Sequence, residues 1–556
     1  MSAVSTTQTP LAANRLRLSQ AICRRIPLAP VVTLLALLPF FPASAATVLV
    51  WPDSPNPAPP YAGWGTAART IQDAVDAAQP GDTVLATNGI YSTGGKAVYG
   101  LMTNRVAVTK AVIVQSVNGP EVTVIQGRQV PGTTNGDGAI RCVYLTNGAT
   151  LSGFTLTHGA TRYADDWYSE EEQTGGGVWC EPTNVLVTNC ALSGNSANCG
   201  GGAYFGTLSH CTLSSNSALG SGGGAASGAL FDCSLSGNVA YSGGGAYSSL
   251  LSNCALVGNV ASSGGGTYLG TLNACIVSSN TASEYGGGTD FATVNNSTFN
   301  RNSAGWSGGG AFAGTLNNCT LTGNSADYGG GASYGTFNNC IVYYNTAASF
   351  PNYYLFGATL AYCCTTPLPA TGSGNITNEP LFVDSLHGNL RLQPNSPCIN
   401  AGANGYVSGP ADLDGFPRIA GGTVDLEAYE FQTPVSVISY AWLAQFGLPT
   451  DGSADFTDPD GDGLNNWQEW LSGTDPTNGL SVLRLLPATD DGSGVNVTWR
   501  SITNRSYFLE RSTNLGVHPA FQPLASGIVG QAGTTTFTDT NAPGSAPIFY
   551  RVGTQR

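Results

Sequence analysis

One stretch near the C-terminal end has the residue types and spacing to hold a hard cation: Asp458-Pro459-Asp460-Gly461-Asp462-Gly463-Leu464-Asn465-Asn466-Trp467-Gln468-Glu469. Carboxylates at the first, third and fifth positions of such a loop converge on one point. Glycine at the sixth, Gly463, allows the sharp turn, Leu464 at the seventh offers its carbonyl, and Glu469 at the twelfth closes the shell with two oxygens. The full pattern D-x-D-x-D-G-x5-E predicts calcium bound by Asp458, Asp460, Asp462, Leu464 and Glu469; the plain alternative is an acidic surface turn. Trp467 and Trp470 fall on the short helix expected after the loop. No regular entering helix precedes it, so the expected work is to stiffen a joint between domains rather than to act as a paired switch.

A second set of candidates lies in the middle of the chain, two residues before successive glycine triplets: Tyr241, Ser262, Glu284, Trp306 and Asp327. Tyr285 and Tyr328 stand alongside. A flat aromatic flanked by acids is a common way to hold a sugar ring, so Glu284, Tyr285, Trp306, Asp327 and Tyr328 are the candidate glycan contacts. If they repeat on stacked coils, Glu284 and Asp327 are about 9.6 Å apart, two rung spacings. The alternative is a row of variable, solvated turn residues. A further column, Trp179, Tyr204, Ala226, Tyr247, Tyr268, Asp290, Phe312 and Ser333, should face outward by alternation. The insertion Arg162 to Glu172, with Asp165, Asp166, Trp167, Tyr168, Glu170 and Glu171, could be a substrate or metal loop, with Arg128, Arg141 and His158 in preceding coils, or a solvated excursion.

Catalytic material is thin. Elimination beside a uronate needs a cation and a base, usually Lys, Arg or His. Between residues 175 and 347 there is no lysine, one arginine (Arg301) and one histidine (His210). An inverting hydrolase needs paired carboxylates, and the same stretch holds Glu181, Asp232, Glu284, Asp290 and Asp327.

The elements that must position these residues announce themselves by period. Glycine triplets start at Gly175, Gly200, Gly222, Gly243, Gly264, Gly286, Gly308 and Gly329, and after the first gap every gap is 21 or 22 residues. In step with them run Cys190, Cys211, Cys233, Cys254, Cys275, Ser297, Cys319 and Cys340. Two residues after each comes an apolar side chain, from Leu192 to Val342, and five after each an asparagine, from Asn195 to Asn345. Eight units in one register are a repeat. Within a unit, C-x-L alternates as a strand does, with Cys and Leu inward, and no unit has room or pattern for a helix pair. The predicted fold is all-β: a right-handed parallel β-helix with about three strands per 21–22-residue rung. Identical positions then stack at about 4.8 Å. The column cysteines read as reduced apolar fillers, because parallel Cβ vectors suit disulfides badly; Cys363, Cys364 and Cys398 fall outside the column and could pair.

Open ends need covers. Residues 69–79 read as an amphipathic helix, with Ile71, Ala74, Val75 and Ala78 on one face, stopped by Pro80-Gly81-Asp82 and placed to cap the first rung. Residues 480–556 alternate in runs that suit a small antiparallel β-sandwich. At the other end, Arg24 and Arg25, an apolar run over 26–41 and Ala43-Ser44-Ala45 have the order of a secretory signal cleaved after Ala45. A membrane anchor is the weaker reading, since the run is short and holds Pro27, Pro30 and Pro39. The balance of 20 basic to 34 acidic residues, net −14, argues against nucleic acid and anionic membranes as partners.

The segment TIQDAVDAAQPGDTVLATNGIY, the run LTNGATLSGFTLTHGAT and the glycine-rich units resemble pectin-lyase-fold proteins, and the units resemble polymorphic outer-membrane-protein repeats. The stretch from Glu379 to Glu430 is similar to the ending of β-helix proteins called choice-of-anchor Q, with Glu427 where that ending usually has glycine. The acidic loop resembles the calcium-bearing linkers of dockerins and thrombospondin type 3 repeats, and the last segment resembles fibronectin type III appendages. These resemblances imply an organisation of signal peptide (1–45), cap and first coils (46–150), repeat β-helix (151–376), β-helix end (377–432), calcium-loop linker (433–479) and sandwich (480–556). They imply an exported protein with no transmembrane helix in the mature chain. The function expected is non-catalytic, at a cell surface or in adhesion, with a polysaccharide or surface glycan as partner. The alternative is a carbohydrate-active enzyme, a polysaccharide lyase or glycoside hydrolase.

Overall fold

A computed structural model describes residues 45–555 apart from 147, 164–169, 182–183, 491, 504 and 543–546. The signal-like segment, and Asp165, Asp166, Trp167 and Tyr168 of the acidic insertion, lie outside the described residues. Contacts divide the chain into two units, one holding the coils up to Thr315 with 321–336 and 344–358, the other holding 316–320, 337–343 and everything from Thr359 onward.

The first unit is a parallel β-solenoid. It opens with Thr47–Val50 paired in register with Thr83–Ala86. Helix α1, Ile71–Ala77, lies between them in sequence and is capped by the Thr70 hydroxyl, which accepts from Asp73 N at 3.1 Å. It packs against both strands and against Thr103–Val108, burying Ile71, Gln72, Ala74 and Val75. The helix is shorter than its apolar pattern, because Ala78 is already extended ahead of Pro80.

Each rung turns at four left-handed corners. In the rung from Gly200 these are Gly200 (φ 64°), Phe205 (57°), His210 (52°) and Ser215 (55°). Between them run Ala203–Tyr204, Thr207–Ser209, Thr212–Ser214 and Ser217–Ser221. In later rungs the first two pieces merge into one strand, as in Ala246–Ser252, Thr267–Asn273 and Thr289–Asn295, which leaves three walls. Phe205, Leu269, Phe291 and Tyr334 all occupy one of these corners with φ near +55°, where a bulky side chain costs about 1–2 kcal/mol.

Three columns fill the bore of this unit. Val48, Val84, Val114, Leu151, Val187, Leu208, Leu230, Leu251, Leu272 and Val294 are in register through successive parallel pairings and all are buried. Leu192, Leu213, Leu235, Leu256, Val277 and Phe299 form the second, each 0% exposed. Each such side chain contributes about 1.5–3 kcal/mol. The third is asparagine: each Nδ2 from Asn195 to Asn324 donates to the Oδ1 of the next at 2.9–3.0 Å. The same oxygen also accepts a backbone N–H, as Asn259 Oδ1 does from Asn238 N at 3.0 Å.

The triplets do more than turn the chain. Only the first glycine of each has positive φ. The others are kept small by stacking: a methyl on Gly244 would meet Val260 O at 2.5 Å, and one on Gly245 would meet Gly266 O at 2.6 Å.

Rungs of 21 and 22 residues coexist because the extra residue is confined to one wall. The pairing of Ala197 with Ala218 slips before Cys199 meets Ser221, and that of Ala261 with Ala282 slips before Ser263 meets Tyr285. The acidic insertion opens from the same wall, since Ala160 bridges to Ser196 and Thr174 to Cys199.

In the second unit Cys340 is followed in register by Cys363, because Ile341 pairs with Cys364. Cys363 therefore belongs to the inward column, a correction to the sequence reading. Cys364 and Cys398 do lie off it, side chains in hydrogen-bond contact, and both are free thiols. Beyond them a core of Leu390, Leu392, Ile399, Leu426, Ile438, Leu443 and Trp470 unites the hairpin Phe382–Asp384 and Asn389–Leu392 with helices α2, Tyr440–Gln445, and α3, Asn466–Ser472. The C-terminal part is two three-stranded antiparallel sheets, Thr489–Asp490, Val495–Ser501 and Gly533–Asp539 in one, and Gln522–Val529, Ser506–Ser512 and Phe549–Gln555 in the other, with Trp499, Tyr507 and Leu509 fully buried. No described helix is long and apolar enough to cross a membrane.

Candidate functional sites: an aromatic strip and an acidic loop

The candidate glycan contacts stand where rung stacking puts them. Tyr285 and Tyr328 both bridge to Ser307, one from each side. Trp306 donates its amide to Glu284 O, and Tyr328 donates its own to Trp306 O, each at 2.9 Å. Trp306 is 58% exposed and Tyr328 42%, and Glu284 and Asp327 are exposed.

The outward column is more divided than expected. It is in register and faces away from the bore, but Trp179, Tyr204, Ala226, Asp290 and Ser333 are buried, which corrects the expectation of an exposed face. A second layer roofs its first rungs. Tyr144, in register with Trp179 on the preceding rung, stacks on it at 4.9 Å; Tyr99 packs against both rings, and the Tyr204 hydroxyl donates to Glu170 of the insertion.

Past that roof the two candidate rows fuse into one strip. Tyr247 stacks on Tyr268 at 5.8 Å and 1°. Tyr268, Phe291, Phe312, Tyr334 and Tyr354 follow at 6.1, 6.2, 5.3 and 5.5 Å between ring centres. Tyr285 joins Phe312 at 4.7 Å and Trp306 at 6.3 Å, and Tyr328 joins Tyr354 at 6.2 Å. The left-handed corner residues Phe291 and Tyr334, unnoticed in the sequence, carry the outward row from rung to rung, and Tyr285 and Tyr328 join it to the other row; the place of Phe291 and Tyr334 five residues after a triplet's first Gly was the available signal. Asp290 sits inside the strip, in register with Tyr268, 2% exposed, its Oδ1 without a partner. Burial pushes its carboxyl up to about 7.

The insertion's charged groups and the nearby cations are engaged in holding the coil. Arg141 is buried and donates to Gly175 O, Thr174 O and Asn104 Oδ1 at 2.9, 2.8 and 2.7 Å. Arg162 spans Asp137 and Glu172, Arg128 donates to Gly138 O, and His158 meets the Thr157 hydroxyl.

In the acidic loop, carboxylate oxygens of Asp458, Asp460 and Asp462 lie within 4.8 Å of one another. Backbone amides hold them there: Gly461 and Gly463 donate to Asp458, Asp462 to Asp460 and Leu464 to Asp462. Gly461 and Gly463 have φ 74° and 94°. Glu469, on α3, is 0% exposed. Its Oε1 accepts from the Thr474 hydroxyl at 3.3 Å, while its Oε2, Asp460 Oδ2 and Asp462 Oδ2 are buried with no partner. Burial first, then the charges of Asp460 and Asp462, push Glu469 up to about 7. The three converging aspartates, with unpartnered buried oxygens on Asp460, Asp462 and Glu469, fit the hard donor set of a calcium ion. Asn465 caps α3 with a reciprocal Gln468 bond, and Trp470 on the same helix enters the core.

No family model matches the sequence, and no curated protein matches it. Among solved structures it is similar to pectate lyase Pel9A, at 13% identity over 70% of this chain and 97% of that one, with a TM-score of 0.36. It is similar to XylC in complex with xylose, at 9% identity over 69% and 99%, TM-score 0.34. It is similar to tailspike protein 2 of Escherichia coli O157:H7 bacteriophage CAB120, at 9% identity over 84% and 56%, TM-score 0.25.

Proposed function

We propose that the protein is an exported, non-catalytic β-helix that binds a glycan along the strip, in a cell-surface or adhesion role. The observation that carries this is the continuous run of rings from Tyr247 to Tyr354 with Tyr285, Trp306 and Tyr328. Exposed aromatic faces on a rigid wall offer sugar rings stacking surface without ordering cost. Glu284 and Asp327 supply hydrogen-bond acceptors at its edge. Calcium at Asp458, Asp460, Asp462, Glu469 and the Leu464 carbonyl would neutralise the crowded carboxylates and fix α3, whose Trp470 carbonyl accepts from Arg505 of the C-terminal sheets at 3.5 Å.

The second reading, a polysaccharide lyase or hydrolase, is disfavoured by the engagement of Arg128, Arg141 and Arg162 in structural bonds. Affinity electrophoresis of the full chain against uronate, neutral and amino polysaccharides tests the binding. Retardation that weakens in Trp306→Ala is expected; no retardation by any polymer refutes it. Release of unsaturated products from the same panel would replace it with the lyase reading.

A further inference from the structure

The charges around the strip narrow the class of glycan. Between residues 175 and 347 there are five carboxylates against one arginine and no lysine, and three of the five, Glu284, Asp290 and Asp327, fall on the rungs that carry Tyr285, Trp306 and Tyr328. None of the three is in an ion pair among the described residues. Asp290 adds an independent sign. It takes a place that neighbouring rungs give to Tyr268 and Phe312, and it buries an oxygen that no donor satisfies. A buried carboxyl with one unsatisfied oxygen is costly, and bore packing does not require it, because it faces the outer, aromatic layer. A uronate would meet repulsion here. An ammonium would meet carboxylates and ring faces together, and both attract it.

We propose that the strip selects a cationic glycan, one whose hexosamine rings carry free amino groups, with Glu284, Asp290 and Asp327 as the charge partners and Tyr285, Trp306 and Tyr328 as the stacking surface. The proposal rests on the glycan-binding reading and names its ligand class.

The test is calorimetry of the full chain with glucosamine hexasaccharide and with its fully N-acetylated counterpart, at about pH 6, where amines are protonated and a bound ammonium favours loss of the Asp290 proton to buffer. The amino form should bind roughly tenfold or more tightly, as expected for a charge-assisted contact. Asp290→Asn, and Glu284→Gln combined with Asp327→Asn, should each remove most of that preference. Asp53→Asn with Asp73→Asn and Glu121→Gln, which neutralises exposed carboxylates of the first coils, should leave it intact. Equal binding of the two hexasaccharides overturns the cationic class and leaves glycan binding standing. An equal loss in the remote variant also overturns it, since net acidity alone would explain the preference. Binding of neither hexasaccharide, with no retardation in the polymer panel, overturns both.

Discussion

Cutting one link of the asparagine ladder should cost more than removing a core methyl group. In Asn259→Ala, four hydrogen bonds vanish: Nδ2 to Leu235 O and to Asn280 Oδ1, and Oδ1 from Asn238 N and Nδ2, all at 2.9–3.0 Å. Asn259 and Asn238 are both 0% exposed, so water does not replace the lost acceptor. The Asn238 amide and one of its Nδ2 hydrogens are left without partners, at about 1–3 kcal/mol each, so the expected destabilisation is about 2–6 kcal/mol. Repeat arrays can melt in sections, so the assay is native-state hydrogen exchange read by mass spectrometry alongside urea unfolding. Exchange should quicken most at the rungs holding Asn238 and Asn259 and fade toward both ends of the coil. Ser236→Ala, on the outward side of the same strand, should stay within about 0.5 kcal/mol of the parent. If Asn259→Ala unfolds with that control and its exchange pattern is unchanged, the ladder fills space without stabilising the stack.

Chelation of the full chain should open residues near 450–480 to protease while sparing 175–345, and Asp460→Ala with Glu469→Gln should behave the same way without chelator. Calcium affinity on the order of 10⁻⁴–10⁻³ M is expected for an extracellular loop, and absence of binding heat at millimolar calcium would leave an acidic turn. Cys233, Cys254 and Cys275, at 3%, 3% and 0% exposed and free, should resist thiol reagents in the native protein and react after denaturation; recovering them as disulfides under denaturing alkylation contradicts this. Stability should fall with rising pH at the β-helix end, where burial holds Asp412 and Glu427 above the usual carboxylate range, Asp425 at about 7 and Glu430 at about 9. Between the unfolded values near about 4 and those raised values the native state binds more protons, so each unit climbed favours unfolding. Protection factors over 412–430, corrected for the intrinsic pH dependence of amide exchange, that are no lower at about pH 9 than at about pH 5 would refute the assignment.

The repeat was legible because stacking forces identical spacing on every wall. Cys-x-Leu and the asparagine five positions after each Cys could be placed before any coordinate. The aliphatic column from Val187 to Val294 has equal regularity, three residues before each column position, yet it was hidden among Thr-Leu-Ser steps that also suit loops. Cys363 escaped because it follows Cys340 by 23 residues, longer than the 21- or 22-residue steps of the column from Cys190 to Cys340. The burial of Trp179 is set by Tyr99 and Tyr144 packed on it, and Tyr204 bonds Glu170 of the insertion, tertiary facts with no local signature. The aspartate triad needed only its own spacing. The carboxylates around buried Arg418, which donates to the carbonyls of Ala428 and Tyr429 at 3.0 and 2.6 Å, needed the folding together of 412–430. The fusion of two aromatic rows into one strip depends on the corner angle that brings two walls edge to edge.

The slip that accommodates 22-residue rungs, and the opening of the 161–173 excursion, fall at a single azimuth of the coil. The coil of the first unit therefore has a seam, and heredity can write along it. A residue gained at the seam swells a bulge and leaves every column in step, whereas one gained inside the Cys-x-Leu strand would turn each later side chain of that wall from bore to surface. Because Tyr285 and Tyr328 stand on the seam itself, the surface that meets the outside is also the one free to vary from rung to rung. The aromatic face can diversify while the scaffold behind it stays constant.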